Sequence, residues 1–422
     1  MGVDLLVTGI GDLCRMGAGT GPQAGPDQGD VGSVRDAALA VRDGLVVAAG
    51  PERAVVELAG TARTTIDVEG ATVLPGWVDA HTHLLFAATR EDEFVMRLQG
   101  KTYQEIAAAG GGIHSSVRHF RETSDDDILR RARGNLNMAL AQGTTTMEVK
   151  SGYGLSVEEE LRALRLIRDL ANEFEGKVEI VPTFLGAHEI PQEFAANRDA
   201  YVAMVVEQMI PRVATEGLAE FCDVFCEEGV FTPEESRTIL GAARTHDLRI
   251  KLHADEFGDT GGSRLAADMK AVSADHLHGT PADAARAMAE AGVVGVLLPG
   301  TSFFLNLPDK AAARDMVEER LPLAVASDFN PGSSMSQSMP MMVALACIQL
   351  RLTPEEALSA ATVNAAAALG RAARVGRLRE GYAADFQVLH VPSHRQVPYH
   401  YGVSHVRGVF RGGRQVAGNL LG

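Results

Sequence analysis

The sequence predicts an α/β protein: a (β/α)8 TIM barrel with a small β-sandwich domain formed from the N- and C-terminal segments. Three observations predict it. Eight short apolar runs ending in polar residues, separated by helical segments, span about 250 residues, the size and rhythm of such a barrel. Strand-turn-strand patterns occupy both chain ends, so the two ends are expected to pair. Four helix starts with a hydroxyl followed three residues later by an acid punctuate the middle of the chain. Residues 1–72 and 376–422 are assigned to the sandwich and 73–375 to the barrel. An open doubly wound sheet is the structural alternative, ranked lower because no G-x-G-x-x-G follows an early strand.

In chain order, Asp4 to Thr8 reads as a strand, and Ala37 to Val41, Arg42-Asp43-Gly44 and Leu45 to Ala49 as a hairpin whose glycine supplies the positive φ of a tight turn. Gly17 to Asp30, with five glycines and two prolines, reads as a surface loop. The barrel strands are expected at Val73 to Asp79, Thr144 to Val149, Val178 to Phe184, Phe221 to Phe225, Leu248 to Leu252, Ala271 to Ala274, Val293 to Leu298 and Leu323 to Ala326. Helices are expected after Ser156, Thr232, Thr280 and Thr353, the last three with proline at the first helical position. Leu161, Leu164, Ile167, Leu170 and Phe174 then form one buried stripe. Ala384 to Val391, Val406 to Phe410 and Gln415-Val416 return to strand character.

Charge narrows the partners. Lys plus Arg number 39 against 55 Asp plus Glu, so 39 − 55 gives a formal net charge of −16. Nucleic acid and anionic membranes would repel such a surface. Residues 291–308 and 329–350 are uncharged stretches, but proline with Gly, Ser or Asn interrupts both, and no membrane span is expected. Four cysteines are too few for a disulfide framework, and the N-terminus lacks a basic segment leading into an apolar one. A cytoplasmic compartment is the expectation.

The chemistry gathers at the C-terminal ends of the predicted strands. The first ends Asp79-Ala80-His81-Thr82-His83, and residues two apart on a strand face one way, so both imidazoles can share one ion. The fifth ends at His253 with Glu256 three residues on, the sixth at Asp275-His276 and the eighth at Ser327-Asp328. Three histidines and one carboxylate suit a zinc-like or ferrous ion with an open position for water, which would supply hydroxide near neutral pH. The strand-end position of His276 favours function, whereas His278 is read as structural. Cys222 and Cys226 are read as core packing.

Longer strings carry a resemblance: Pro75-Gly-Trp-Val-Asp-Ala-His-Thr-His83, Arg97-Leu-Gln-Gly-Lys-Thr-Tyr103, Ala109-Gly-Gly-Gly-Ile113, Lys150-Ser-Gly-Tyr-Gly154, Leu185-Gly-Ala-His-Glu-Ile-Pro191, Ser327-Asp-Phe-Asn-Pro-Gly-Ser333 and Tyr399-His-Tyr-Gly-Val-Ser-His405. Through them the chain resembles the metal-dependent amidohydrolase superfamily and, within it, the imidazolonepropionase family of histidine degradation. The resemblance implies hydrolytic opening of 4-imidazolone-5-propanoate to N-formimidoyl-L-glutamate with one divalent metal ion, Zn2+ or iron, in a homodimer. It implies His81, His83, His253 and Asp328 as metal ligands. Glu256 and His276, with Asp328, would handle protons and orient water. Arg90, Tyr103, Tyr153, His188 and Glu256 would hold the substrate, and Asn330, Gly332 and Ser333 would line the pocket after strand eight.

Elementary chemistry agrees with those roles. Attack on a lactam carbonyl leaves a nitrogen that needs a proton, and a carboxyl three residues after a ligand suits that transfer. A small anionic substrate inside an acidic protein needs a local cation, and Arg90 can grip a carboxylate bidentately, although Arg90-Glu91-Asp92-Glu93 by itself reads as a surface salt bridge. Lys150 is a second candidate cation for the pocket. The chain departs from the family at Phe86-Ala-Ala-Thr-Arg90, where glycines are usual, and in the length of the Gly17 to Asp30 loop. Two-metal relatives carry a carbamylated lysine on strand four, but Phe221 to Glu227 contains none, which favours a single metal. A deaminase of purine or pyrimidine bases is the rival reading, and a barrel that has lost turnover is the rival from another class.

Overall fold

The computed structural model describes residues 2–101, 105 and 110–421. Eight parallel strands run in chain order around one sheet: Trp77–Asp79, Thr144–Lys150, Glu179–Ala187, Phe221–Cys226, Arg249–Ala254, Ser273–His276, Val294–Leu297 and Leu323–Val325. The eighth returns to the first, with the Asp328 N–H donating to the His81 carbonyl and the His83 N–H to the Phe329 carbonyl, each at 3.0 Å. Asp79 strengthens this seam by accepting from the Ser327 N–H at 3.0 Å and the Ser327 hydroxyl at 2.5 Å. The sheet is therefore a closed barrel. Its strands are almost wholly buried because helices cover the outer face, as parallel sheets require.

Both chain ends build the second domain. Val3–Ile10, Ala37–Arg42, Leu45–Pro51 and Ala62–Asp67 form a four-stranded sheet. Asp12–Cys14, Ser33–Val34, Thr72–Pro75, Phe386–Leu389, Val406–Arg411 and Arg414–Gly418 form a six-stranded one. The ends meet where Thr72–Pro75 pairs antiparallel with Phe386–Leu389. Leu5, Val7 and Leu39 from one sheet pack with Val73, Phe386 and Phe410 from the other, the two phenyl rings stacking at 4.4 Å between centroids. The hairpin turn is the one expected: Asp43 and Gly44 both take positive φ, at 52° and 77°, which suits the strand twist.

Three local expectations are corrected. The run from Val73 to Asp79 is two strands, because the Gly76 N–H donates to Asp385 in the sandwich while the Trp77 N–H donates to Gly143 in the barrel. The chain crosses between domains at Gly76, where any side chain would strike Thr145. Ser156, Thr232 and Thr353 cap their helices as expected, the last two through full capping boxes. Thr280 does not, since its hydroxyl donates to Asp255 at 3.0 Å and Pro281 takes the cap position. The Gly17 to Asp30 segment is exposed over residues 18–22, as a surface loop should be, but it also buries Gln23 and Gln28. Gln28 pairs with both the N–H and the carbonyl of Leu323, satisfying backbone groups at the start of barrel strand eight. Among the described residues, no helix is long and apolar enough to cross a membrane.

Candidate active site

Strand alternation does what the H-x-H spacing requires. Thr82 turns outward and donates to the Glu148 carbonyl at 2.6 Å, while Nε2 of His81 and of His83 each lies 3.5 Å from Asp328 Oδ1. His253 Nε2 lies 3.4 Å from His83 Nε2. The donor atoms of His81, His83 and Asp328 fall within 4.8 Å of one another, as do those of His81, His253 and His276 and those of His83, His188 and His253. Six residues from five strand ends thus form three overlapping clusters that share His81, His83 and His253. His276, Leu277 and Asp328 hold positive φ at 81°, 63° and 49°, backbone strain that turns the strand ends toward the centre.

The donor set fits a divalent ion. Nδ1 of His81 lies 2.6 Å from Asp275 Oδ2, which makes it the N–H donor and leaves Nε2 as a lone pair. That Nε2 is buried and has no hydrogen-bond partner among the described residues. Burial, helped by neighbouring imidazoles and Lys150, holds His81 and His83 well below the usual histidine range, so both are neutral donors. Burial pushes the Asp328 carboxyl up to about 6, against the opposing hydrogen bond from Thr301. Glu256 is held well above the carboxylate range by burial and by the Asp328 and Glu227 carboxylates. His276 Nδ1 lies 3.6 Å from Glu256 Oε1.

The remaining expected residues line the mouth. His188 stacks on His83, with centroids 4.8 Å apart and rings inclined by 13°, and its Nδ1 meets the Gly152 carbonyl at 2.9 Å. Burial takes His188 down to about 3. Tyr153 is buried, 5.6 Å from the His188 ring, and its hydroxyl feels both Arg90 and Asp328. Arg90 pairs with Glu93 at 2.6 Å, the contact that its own sequence neighbourhood suggests, and its guanidinium also lies against Gly332. The Asn330 carbonyl oxygen accepts from the N–H groups of Gly332 and Ser333 at 2.7 and 2.8 Å, so Asn330 shapes this turn. Tyr103 lies outside the described residues. His278 stands aside, its ring 6.4 Å from that of His276.

Lys150 does not serve as a second pocket cation. It is fully buried, with Nζ 2.7 Å from Asp223 and 2.9 Å from Glu148, so its charge is already matched. Residues that the sequence reading passed over support the site. The buried Glu160 carboxylate accepts from the N–H groups of Gly152, Gly154 and Leu155 at 3.1, 2.8 and 2.8 Å and so shapes the loop carrying Tyr153. Thr301 donates to Asp328 Oδ2 at 2.6 Å. Asp223 lies 3.0 Å from His253 Nδ1. The available signal for Asp223 was a lone charge inside the apolar run Phe221 to Cys226.

Comparison with known proteins bears on this geometry. The amidohydrolase family model matches residues 72–416. Imidazolonepropionase of Symbiobacterium thermophilum is 48% identical over 417 residues, covering 98% of this chain and 97% of that protein. The protein of the same name from Syntrophobacter fumaroxidans is 49% identical over 392 residues, 92% of each chain. Among solved structures, a zinc-bound adenosine deaminase from Xanthomonas campestris aligns with TM-score 0.70 at 20% identity, covering 98% of this chain and 92% of that one. A triazine hydrolase variant aligns with TM-score 0.75 at 17% identity over 98% and 95% of the two chains. At those identities the structural likeness speaks for the fold.

Proposed function

The chain belongs to the amidohydrolase family and, within it, to the imidazolonepropionases, and from that premise we propose that it opens the ring of 4-imidazolone-5-propanoate by hydrolysis, giving N-formimidoyl-L-glutamate in histidine degradation. The observation that carries this reading is the convergence of His81, His83, His253 and Asp328 on one buried point at the C-terminal mouth of the barrel. These four would hold one divalent ion, zinc or iron, since imidazole and carboxylate accept either. When bound, the ion supplies a water acidic enough to attack at neutral pH.

The protein's own groups do the rest. Glu256, kept protonated by its surroundings, delivers a proton to the ring nitrogen as the C–N bond breaks. Asp328 accepts a proton from the attacking water, and neutral His276, beside Glu256, orients that water. Arg90 grips the propionate carboxylate. Tyr153 and His188 flank the ring, the turn at Asn330, Gly332 and Ser333 closes the pocket beside Arg90, and the resemblance adds Tyr103 as a substrate-binding residue. A homodimer in the cytoplasm completes the proposal; four unpaired cysteines support that compartment, and the acidic net charge supports a small molecule rather than nucleic acid as partner.

The test follows the absorbance of imidazolone propionate with purified, metal-loaded protein, with and without a chelator. Chelator-sensitive loss of absorbance is expected. Ammonia released from nucleobases, with imidazolone propionate untouched, would instead establish the deaminase reading. Protein that retains no stoichiometric ion would speak for a barrel without turnover.

A further inference from the structure

Beneath the proposed metal ligands, Glu148, Lys150, Asp223, Lys251 and Asp275 are all fully buried, and none has a role in the reaction above. Lys150 Nζ reaches Asp223 at 2.7 Å and Glu148 at 2.9 Å, and Lys251 Nζ reaches the other Glu148 oxygen at 2.9 Å. Both ammonium groups lie 3.8 Å from Asp275. The lattice ends on two imidazoles: Asp275 on His81 Nδ1 at 2.6 Å and Asp223 on His253 Nδ1 at 3.0 Å. Lys251 also donates to the Ala80 carbonyl at 2.9 Å, and the Lys150 N–H to the Thr82 carbonyl at 3.0 Å, so the same residues fix the backbone on both sides of His81.

We infer that these five charges act as one positioning device, with Lys150 at its centre, that turns His81 and His253 so that their Nε2 atoms face the ion. Buried ion networks contribute little net stability compared with well-packed apolar side chains, so stability alone does not account for two lysines and three carboxylates inside the barrel. Orientation does. Asp275 accepts from His81 Nδ1 and fixes that ring and its tautomer, Asp223 stands against His253 Nδ1 at 3.0 Å, and both carboxylates would rotate without the lysine between them. Lys150 makes no contact with either imidazole, so it positions the two rings through Asp223 and Asp275.

The inference rests on the metal-site reading, and its test separates the two. Full-length protein is stripped of metal, and Zn2+ affinity is measured by competition with a chromophoric chelator for the parent, Lys150→Met, Asp223→Asn and the double variant. The visible spectrum of the Co2+-loaded forms reports ligand geometry. Each single variant is expected to weaken Zn2+ binding about 10- to 100-fold and to alter the Co2+ spectrum. The double variant should be no more than about threefold weaker than the weaker single, because one acts through the other. Affinity within about twofold of the parent in folded Lys150→Met, or losses that multiply in the double variant, would overturn the inference and leave the metal site standing. A parent that binds no Zn2+ would overturn both. Should Lys150→Met not fold, Asp275→Asn, which keeps its shape beside His81, decides by the same affinity and spectral criteria.

Discussion

The Thr301 hydroxyl donates to Asp328 Oδ2 at 2.6 Å and leaves Oδ1 facing His81 and His83, 3.5 Å from each. One oxygen is anchored and the other is offered to the ion. Metal and proton compete for that carboxylate. Burial lifts Asp328 to about 6, so Zn2+ affinity should fall as the pH drops through about 6. The hydrogen bond from Thr301 favours the charged form, so removing it raises the protonation point further. Thr301→Val should therefore begin to lose Zn2+ at higher pH than the parent does. Chelator competition across the pH range measures this, and superimposable curves would refute it.

Arg90 and Gly332 make a second pair. A methyl group built on Gly332 meets the Arg90 guanidinium, the movable end of a long side chain, so Gly332→Ala should fold normally while displacing that cation. Hydrogen bonds to charged groups contribute about 1.5–3 kcal/mol, so Arg90→Ala should raise KM about 10- to 150-fold while the metal stays bound. Gly332→Ala should move KM in the same direction by less. Steady-state kinetics with metal content measured in parallel decides, and an unchanged KM in Arg90→Ala would remove the assigned role.

What was legible in the sequence was what neighbouring residues decide. His81, Thr82 and His83 alternate because a strand alternates, and Thr232 caps its helix because the acid three residues on returns the bond. Partnerships made across the barrel were not legible. His81 and Asp275 are 194 positions apart, and nothing near either names the other. Lys150 looked available for substrate because Asp223, which holds it at 2.7 Å, lies on another strand, although its other close partner, Glu148, is only two residues away. Thr280 matched a capping pattern, yet Asp255, 25 positions upstream, took its hydroxyl. Charges inside apolar strand runs, such as Glu148, Asp223 and Lys251, were the visible trace of the buried lattice.

Gln28 ties the N-terminal loop to barrel strand eight. Its amide accepts from the Leu323 N–H at 3.1 Å and donates to the Leu323 carbonyl at 3.3 Å. Asn364 also donates to that carbonyl, at 2.9 Å, so Gln28→Ala would leave mainly the Leu323 N–H unsatisfied. A buried donor without a partner costs about 1–3 kcal/mol. Chemical denaturation should show a loss of that size with Zn2+ affinity unaltered, because the contact lies away from the ligand-bearing strand ends.

His394 makes a pH-dependent tie between the two domains. Its Nδ1 meets Asp12 of the six-stranded sheet at 2.8 Å, and its Nε2 meets Glu355, on a helix packed beside the barrel, at 3.3 Å. Arg35 and Arg395 accompany the two carboxylates. Burial works against a charged imidazole here, but the two carboxylates prevail and hold His394 above the usual histidine range of about 6.5. The hydrogen bonds from His394 and Ser33 take Asp12 down to about 2 despite its burial. A raised histidine gives its full contribution below its unfolded value and loses it as pH rises through the folded one. The lowered Asp12 gives its contribution above its own unfolded value and loses it as pH falls toward about 2. Between about pH 4 and about pH 6.5 both are in force. His394→Gln should therefore cost about 1.5–3 kcal/mol at about pH 5.5, below the raised value of the parent imidazole, and less at about pH 8.5, which lies further up its titration. Thermal melts of both proteins at the two pH values give the comparison. An equal difference at both would mean that His394 acts through shape alone.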